Sequence, residues 1–229
     1  MFNDPEIIEA INNIEKGVSC GGLSDKTSEI ISIFRKNLEG STDKEEIYDV
    51  SIDALNRIGN DFSFIAIFRE DRKYSTAVRI RVDSELVNRV EDYARKIMPE
   101  LTVMRYRIPI YEDGRLFRRF LLDGKVPLVS DNINLSDGSN VLKASITEMY
   151  DNLISFDSPL KLLIPAFKRM VPYKSAMSVQ LFINDFAVGN IGFASRDVLS
   201  EESLNFLLMI SSLMSDKLEK LGFGKNYNW

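Results

Sequence analysis

Histidine is missing from this chain altogether, and cysteine occurs once, as Cys20. Without imidazole the chain has no Ser-His-Asp or Cys-His nucleophile pair, no histidine-ligated zinc or haem, and no phosphoacceptor of a histidine kinase. A lone cysteine forms no internal disulfide and no thiolate metal cluster within one chain, which fits a reducing, cytoplasmic setting. No apolar stretch approaches the roughly 20 residues that cross a bilayer. Met1 to Ala10 carries Asp4, Glu6 and Glu9 rather than the basic start of a signal peptide, so neither secretion nor a membrane partner is expected. A net charge of −5, from 29 Lys plus Arg against 34 Asp plus Glu, also removes the bulk attraction that drives binding to a phosphate backbone. No nucleic-acid partner is expected.

What is present is ordinary globular material: 45% hydrophobic and 28% charged over 229 residues, enough for one large domain or a domain with an appendage. The chain opens as short helices. Asp4 and Pro5 start one, with Ile7, Ile11, Ile14 and Val18 on one face, and Ser24 starts another that carries Ile31, Phe34 and Leu38 before Gly40 stops it. Thr42 to Glu45 reads as a capping box for a third helix with Ile47, Val50, Ala54, Leu55 and Ile58 on its apolar face.

After Gly59 to Asp61, the run Phe62 to Phe68 is too short, aromatic and β-branched for a helix and reads as a buried strand, followed across a charged turn by an alternating strand, Tyr74 to Val82. Asp83 caps a helix through about Met98, a strand follows from Leu101 to Ile110, and a short helix spans Arg115 to Leu122. Pro127 to Val129 is a brief extended piece. Val141 to Met170 looks helical but is broken by Pro159 and Pro165. Two strands, Ser175 to Ile183 and Phe186 to Ala194, flank a tight turn at Asn184 and Asp185. Ser200 then caps a helix whose Leu204, Leu207, Ser211, Met214, Leu218 and Leu221 step by three or four. Hairpins mixed with helical crossovers specify an α+β fold: a central antiparallel sheet of about five or six strands with helices on both faces.

From Thr42 to Leu221 the chain resembles a GAF domain, the small-molecule sensing module of phytochromes, cyclic-nucleotide phosphodiesterases and microbial sensor kinases. The features that carry the resemblance are the helix-to-strand entry Glu46 to Phe68, the segment Leu122 to Asp131, and the ending Lys174 to Ile183, Val188 to Ser195 and Leu199 to Leu204. Their order and spacing, rather than any one of them, make the likeness. It implies a helical extension over residues 1–41, a GAF-like domain over 42–221 and a tail over 222–229. It further implies a ligand held between sheet and covering helices, or dimerisation through terminal helices, or both.

The specialised subclasses do not map onto this chain. The Asn-Lys-Phe-Asp-Glu signature of cyclic-nucleotide binders cannot be placed. Bilin binders carry a cysteine beside the chromophore, whereas Cys20 precedes the domain. Haem binders use a histidine, and the free methionine sulfoxide reductases of this fold rely on several cysteines. Haem, bilin and zinc are therefore not expected, and the cofactor is left open.

Several clusters remain as candidate sites. Phe64, Phe68, Tyr106, Tyr150, Phe167 and Met177 are candidates to surround the ligand space, core filling being the alternative. Arg79 with Arg81, and Arg105 with Arg107, share strand faces and suit an anion; ion pairs with Glu70, Asp71 or Asp83 are the simpler reading. Arg115, Arg118, Arg119 and Lys125 read as the outer face of an amphipathic helix, and Cys20 as an ordinary thiol. No catalytic and no metal-ligating set emerges. Leu207, Ser211, Met214 and Leu218 form a seam that either packs on the sheet or contacts a second subunit. The resulting expectation is a non-enzymatic sensor that binds an unidentified small molecule, forms a homodimer and signals through its terminal helices to a partner protein. A ligand-free dimerisation or docking module is the alternative, and an enzyme of unfamiliar chemistry comes third.

Overall fold

The computed structural model describes residues 23–58, 61–69, 73–82, 84–96, 107–109, 116, 120, 126–136, 139–152, 165, 168–169, 173–184 and 186–223. They form the helices α1 (Asp25–Gly40), α2 (Lys44–Arg57), α3 (Ser84–Arg95), α4 (Ile146–Asn152) and α5 (Glu201–Lys220). The strands are β1 (Phe62–Arg69), β2 (Tyr74–Val82), β3 (Arg107–Pro109), β4 (Leu128–Ser130), β5 (Leu142–Ala144), β6 (Ser175–Ile183) and β7 (Phe186–Ser195). All seven strands join one sheet in the order β3-β2-β1-β7-β6-β4-β5. The α+β class and the mainly antiparallel sheet are as the sequence implies. The count is higher than expected because Leu142 to Ala144, read as helix, is instead a strand. It pairs in parallel with β4, making the sheet mixed.

The sheet centre is the β6–β7 hairpin, turned at Asn184, whose φ of 49° lies in the left-handed region that asparagine tolerates better than most residues. β7 continues antiparallel onto β1, and β1 onto β2. Alternation sorts the side chains of these strands to two unlike faces. On the first face stand Ile65, Ile67, Met177, Val179, Leu181, Ile191 and Phe193, all in the larger core cluster. On the second stand Phe64, Ala66, Phe68, Ala176, Ser178, Gln180, Asn190, Gly192 and Ala194. Here Phe68 joins a smaller cluster with Phe120, Leu128, Ala144, Met149 and Ala187. Gly192 sits where a Cβ would stand 2.7 Å from the Phe64 ring and 2.6 Å from the Met177 carbonyl oxygen, so only glycine lets the ring lie across the strand.

Helices α1, α2 and α5 cover the first face. Ser24 caps α1 by accepting from the Thr27 N–H, and Ile30, Phe34 and Leu38 recur at four-residue spacing on its buried side. The cap of α2 falls one residue later than the sequence suggests. Asp43 accepts from the Glu46 N–H at 2.9 Å, while the Glu46 carboxylate accepts from the Thr42 N–H at 2.6 Å. Asp43 and Glu46 thus do what was expected of Thr42 and Glu45, because Asp43 occupies the N-cap position and its carboxylate reaches the backbone N–H three residues on. α5 opens with Ser200 and Ser203 as a reciprocal capping box. α1 shares its core with α2 and α5, so a boundary at residue 41 falls inside this core.

The seam of α5 is internal. Leu207, Met214 and Leu218 are 0% exposed, packed in the first-face core of a single chain, and the Ser211 hydroxyl donates to the Gln180 carbonyl at 2.7 Å. The expected subunit contact through Leu207, Ser211, Met214 and Leu218 is corrected accordingly, since the sheet already occupies that face of the helix. A homodimer would have to use other surfaces. The helix expected over residues 5–18 and Cys20 lie outside the described residues.

One tie crosses the bundle. The Glu202 carboxylate at the start of α5 accepts from the Ser24 N–H at 2.7 Å and the Thr27 hydroxyl at 2.6 Å, capping α1 from 178 positions away. These bonds, first the Thr27 hydroxyl and then the Ser24 N–H, hold the Glu202 carboxyl below its ordinary value of 4.5.

Two outcomes follow from this packing. Met214→Ala should lower the unfolding free energy by about 2–5 kcal/mol in urea denaturation, at every protein concentration; a cost that changes with concentration would place Met214 in a subunit interface. For Glu202, a folded pKa below the unfolded one means that its stabilisation is present above the unfolded value and is lost as pH falls through the folded value. Glu202→Gln should therefore be less stable than wild type near neutral pH and converge on it in acid, measured by thermal unfolding from pH 7 down to 3.

Candidate functional site

The arginine pair on β2 is engaged by acids of the same chain. Arg79 on β2 faces α2, where its Nε lies 2.6 Å from Asp49 and its guanidinium 3.0 Å from Glu45, and Arg81 lies 2.9 Å from Asp53. The hydrogen bond from Arg79 holds the Asp49 carboxyl below the usual carboxylate range, and the same bond raises Arg79. The partners expected, Glu70, Asp71 and Asp83, lie outside the described residues; the partners found are three acids that α2 presents at spacings of four, because α2 packs directly over β1 and β2. Exposed pairs of this kind contribute about 0–1 kcal/mol each; here they align α2 on the sheet. Arg105, Arg115, Arg118, Arg119 and Lys125 lie outside the described residues.

The aromatic and methionine candidates divide between the two faces. Met177 stands in the first-face core with Val179 and Leu181, away from any ligand space on the other side, because its odd position in β6 points it at the helices. That candidate is corrected. Phe64 and Phe68 both face the second side, and Phe68 is buried there. The Phe62 ring stands 5.7 Å from Phe64 and 6.1 Å from Tyr173, forming an aromatic edge to that face. Tyr150 sits on α4, with its side chain outside the described set, and Tyr106 and Phe167 lie outside it too.

Between the aromatic edge and Phe68 lies a feature that aromatic content does not reveal. Ser178, Gln180 and Asn190 are buried polar residues on the second face, with Gln180 directly opposite Asn190 across the β6–β7 ladder. The Ser178 hydroxyl donates to the Ile191 carbonyl at 2.9 Å and accepts from the Asn190 side-chain amide at 3.0 Å. The Gln180 amide donates to the Phe120 carbonyl. Asn190 Oδ1 is buried without a hydrogen-bond partner. Burying such an acceptor unpaired costs about 1–3 kcal/mol, and Asn190 is the one amide among the described buried side chains in this state. Ala66, Ala176 and Ala194 on this face are short where the first face carries Ile, Leu, Val and Phe, and the Phe64 ring lies over Gly192.

A groove between α1 and α2, lined by Ile33, Phe34, Asn37, Val50, Asp53 and Arg57, measures about 60 Å³. It is well short of the roughly 300–1,000 Å³ of small-molecule pockets. Among the described residues no three His, Cys, Asp or Glu side chains are grouped to hold a metal. No helix among them is long and apolar enough to cross a membrane.

By sequence, no family model and no curated protein matches this chain. By structure, it is similar to the phycocyanobilin-bound GAF domain of a cyanobacterial phytochrome, at 14% identity and a TM-score of 0.55 over 89% of this chain and 99% of that one. It is similar to residues 122 to 287 of a methyl-accepting chemotaxis protein, at 13% identity and a TM-score of 0.54 over 84% of this chain and 98% of that one. The phytochrome photosensory core module of Stigmatella aurantiaca also matches, at 13% identity and a TM-score of 0.55 over 88% of this chain, which spans only 38% of that module. The seven-stranded sheet between a three-helix bundle and a second, partly polar face is thus a GAF-like fold.

Proposed function

We propose that this chain is a non-enzymatic, GAF-type sensory domain that binds a small molecule against the second face of its sheet and passes occupancy through α5 to a partner protein. The observation that supports it is Asn190 Oδ1, a buried acceptor without a partner on the second face of the sheet. Core-building alone favours an apolar residue at such a position, because an unpaired buried polar atom is destabilising. The fold shared with sensory GAF domains points the same way. The route to α5 is short: Gln180 presents its amide to the second face while its carbonyl accepts from Ser211 on α5. A ligand that moves β6 thereby moves a hydrogen bond to the helix. The second reading, a ligand-free docking module, draws support from Phe120, which is fully buried in the second-face cluster and receives the Gln180 bond, so that part of this face is filled by the chain itself.

Thermal unfolding against nucleotides, amino acids, organic acids and heterocycles separates the two. A true ligand at about 100 times its Kd adds about 2.7 kcal/mol of stability, which is several degrees in Tm for a chain of this size. Methyl NMR should then place the perturbation on Ala176, Ala187 and Ala194, leaving Met209 and Met214 in the bundle unmoved. No stabilising compound, or shifts confined to the bundle methyls, would leave the docking reading standing. With a ligand in hand, amide exchange around Ser211 should change on binding in wild type and not in Ser211→Ala; equal responses would sink the proposed route.

A further inference from the structure

We infer, resting on the small-molecule reading above, that the ligand is a neutral, flat molecule bearing an N–H or O–H donor, and that Asn190 is the residue that selects it. The orientation of the Asn190 amide follows from its neighbours. The Ser178 hydroxyl has one proton, and it is committed to the Ile191 carbonyl at 2.9 Å. Toward Asn190, Ser178 Oγ can therefore only accept, so the atom 3.0 Å from it is the amide nitrogen. The carboxamide oxygen is the atom left over. It is buried, at 6% exposure for the residue, and accepts no bond. A molecule seated here gains by supplying a donor and leaves the acceptor orphaned if it cannot.

Charge and shape narrow the class. The strands around Asn190 present Ala66, Ala176, Ser178, Gln180 and Gly192 to this face, and no charged side chain stands among the described second-face residues of β1, β6 and β7. A carboxylate or ammonium buried against these strands would lose its hydration and find no counter-charge among their described residues. The Phe64 ring lies across Gly192 on this face, and a planar ring suits packing against such an aromatic neighbour while its edge donor is aimed at Asn190. The site thus reads a single donor by hydrogen bonding, the kind of contact that discriminates strongly because rejection leaves a buried polar group unpaired.

The test uses two matched pairs of probes on the full chain, indole with 1-methylindole and uracil with 1,3-dimethyluracil, titrated calorimetrically. N-methylation removes the donor and keeps the ring, so wild-type protein alone reads the preference. At least one N–H probe should bind about tenfold or more tightly than its methylated partner. In Asn190→Leu, which removes the orphaned acceptor together with the amide bond to Ser178 and whose folding is checked by thermal unfolding, the preference should fall to within about twofold. Equal binding of the two members of each pair, or a preference that survives in Asn190→Leu, overturns the donor assignment while leaving a small-molecule site in place. Absence of binding by all four probes also overturns it, whereas the broader screen and methyl map above judge the small-molecule reading separately.

Discussion

The two-residue period of β1, β7 and β6 is the constraint from which the rest of the molecule follows. Ile65, Ile67, Val179, Leu181, Ile191 and Phe193 point one way, and Ala66, Ser178, Gln180, Asn190 and Gly192 the other. Moving any one of these strands by a single residue would exchange the sets, driving Gln180 and Asn190 into the helix bundle and stranding the aliphatic residues on the opposite face. Register is therefore strongly specified at the sheet centre. The irregularity between Leu181 and Phe182 lies near the turn of the β6–β7 hairpin, while that between Ile65 and Ala66 falls midway along the β1–β2 pairing and leaves the β1–β7 rungs regular.

That sorting gives the faces different work. The first face is sealed by α1, α2 and α5, whose fully buried Phe34, Ile47, Leu55, Leu207 and Met214 each contribute about 1.5–3 kcal/mol of burial. Directional contacts then set where the helices lie: Arg79 and Arg81 align α2 through Asp49, Glu45 and Asp53, and Glu202 ties the start of α5 to the start of α1. The second face is covered by shorter pieces, among them α4 with Met149, and it keeps polar groups in its interior. The Ser211 to Gln180 bond joins the two sides through a single residue of β6.

Much of this was legible in advance where the determining contacts are local. Ser24 and Ser200 mark helix starts because a cap reaches only three residues ahead. Asn184 marks the hairpin because positive φ is a property of one residue. The sequence points to an α2 cap one position early because two capping side chains, Thr42 and Asp43, stand side by side and the way the chain enters the helix decides which of them turns inward. Leu142 to Ala144 was misread because three residues carry too little periodicity to separate strand from helix, and the strand exists by virtue of β4 beside it. Met177 by residue type alone suits a pocket or a core equally, since a thioether fits either; its strand parity assigns it to the core.

Ser178, Gln180 and Asn190 went unnoticed although the signal was there, as three polar positions alternating with Val179, Leu181 and Ile191 in strands otherwise apolar. Alternation tells which residues share a face of one strand. It does not tell that Gln180 faces Asn190, or that Ser178 already has its proton placed, since those depend on register between segments. The same limit separates the α5 seam, plain in the sequence as a three-and-four repeat, from its partner, the sheet of the same chain. Period, caps and turns are set within a few residues along the chain, so the amino-acid order alone decided them. Which surface covers which stripe, why Glu202 meets Ser24 across 178 positions, and why one amide oxygen is left without a donor were decided only when the chain closed on itself, because each depends on groups that meet through packing rather than along the backbone.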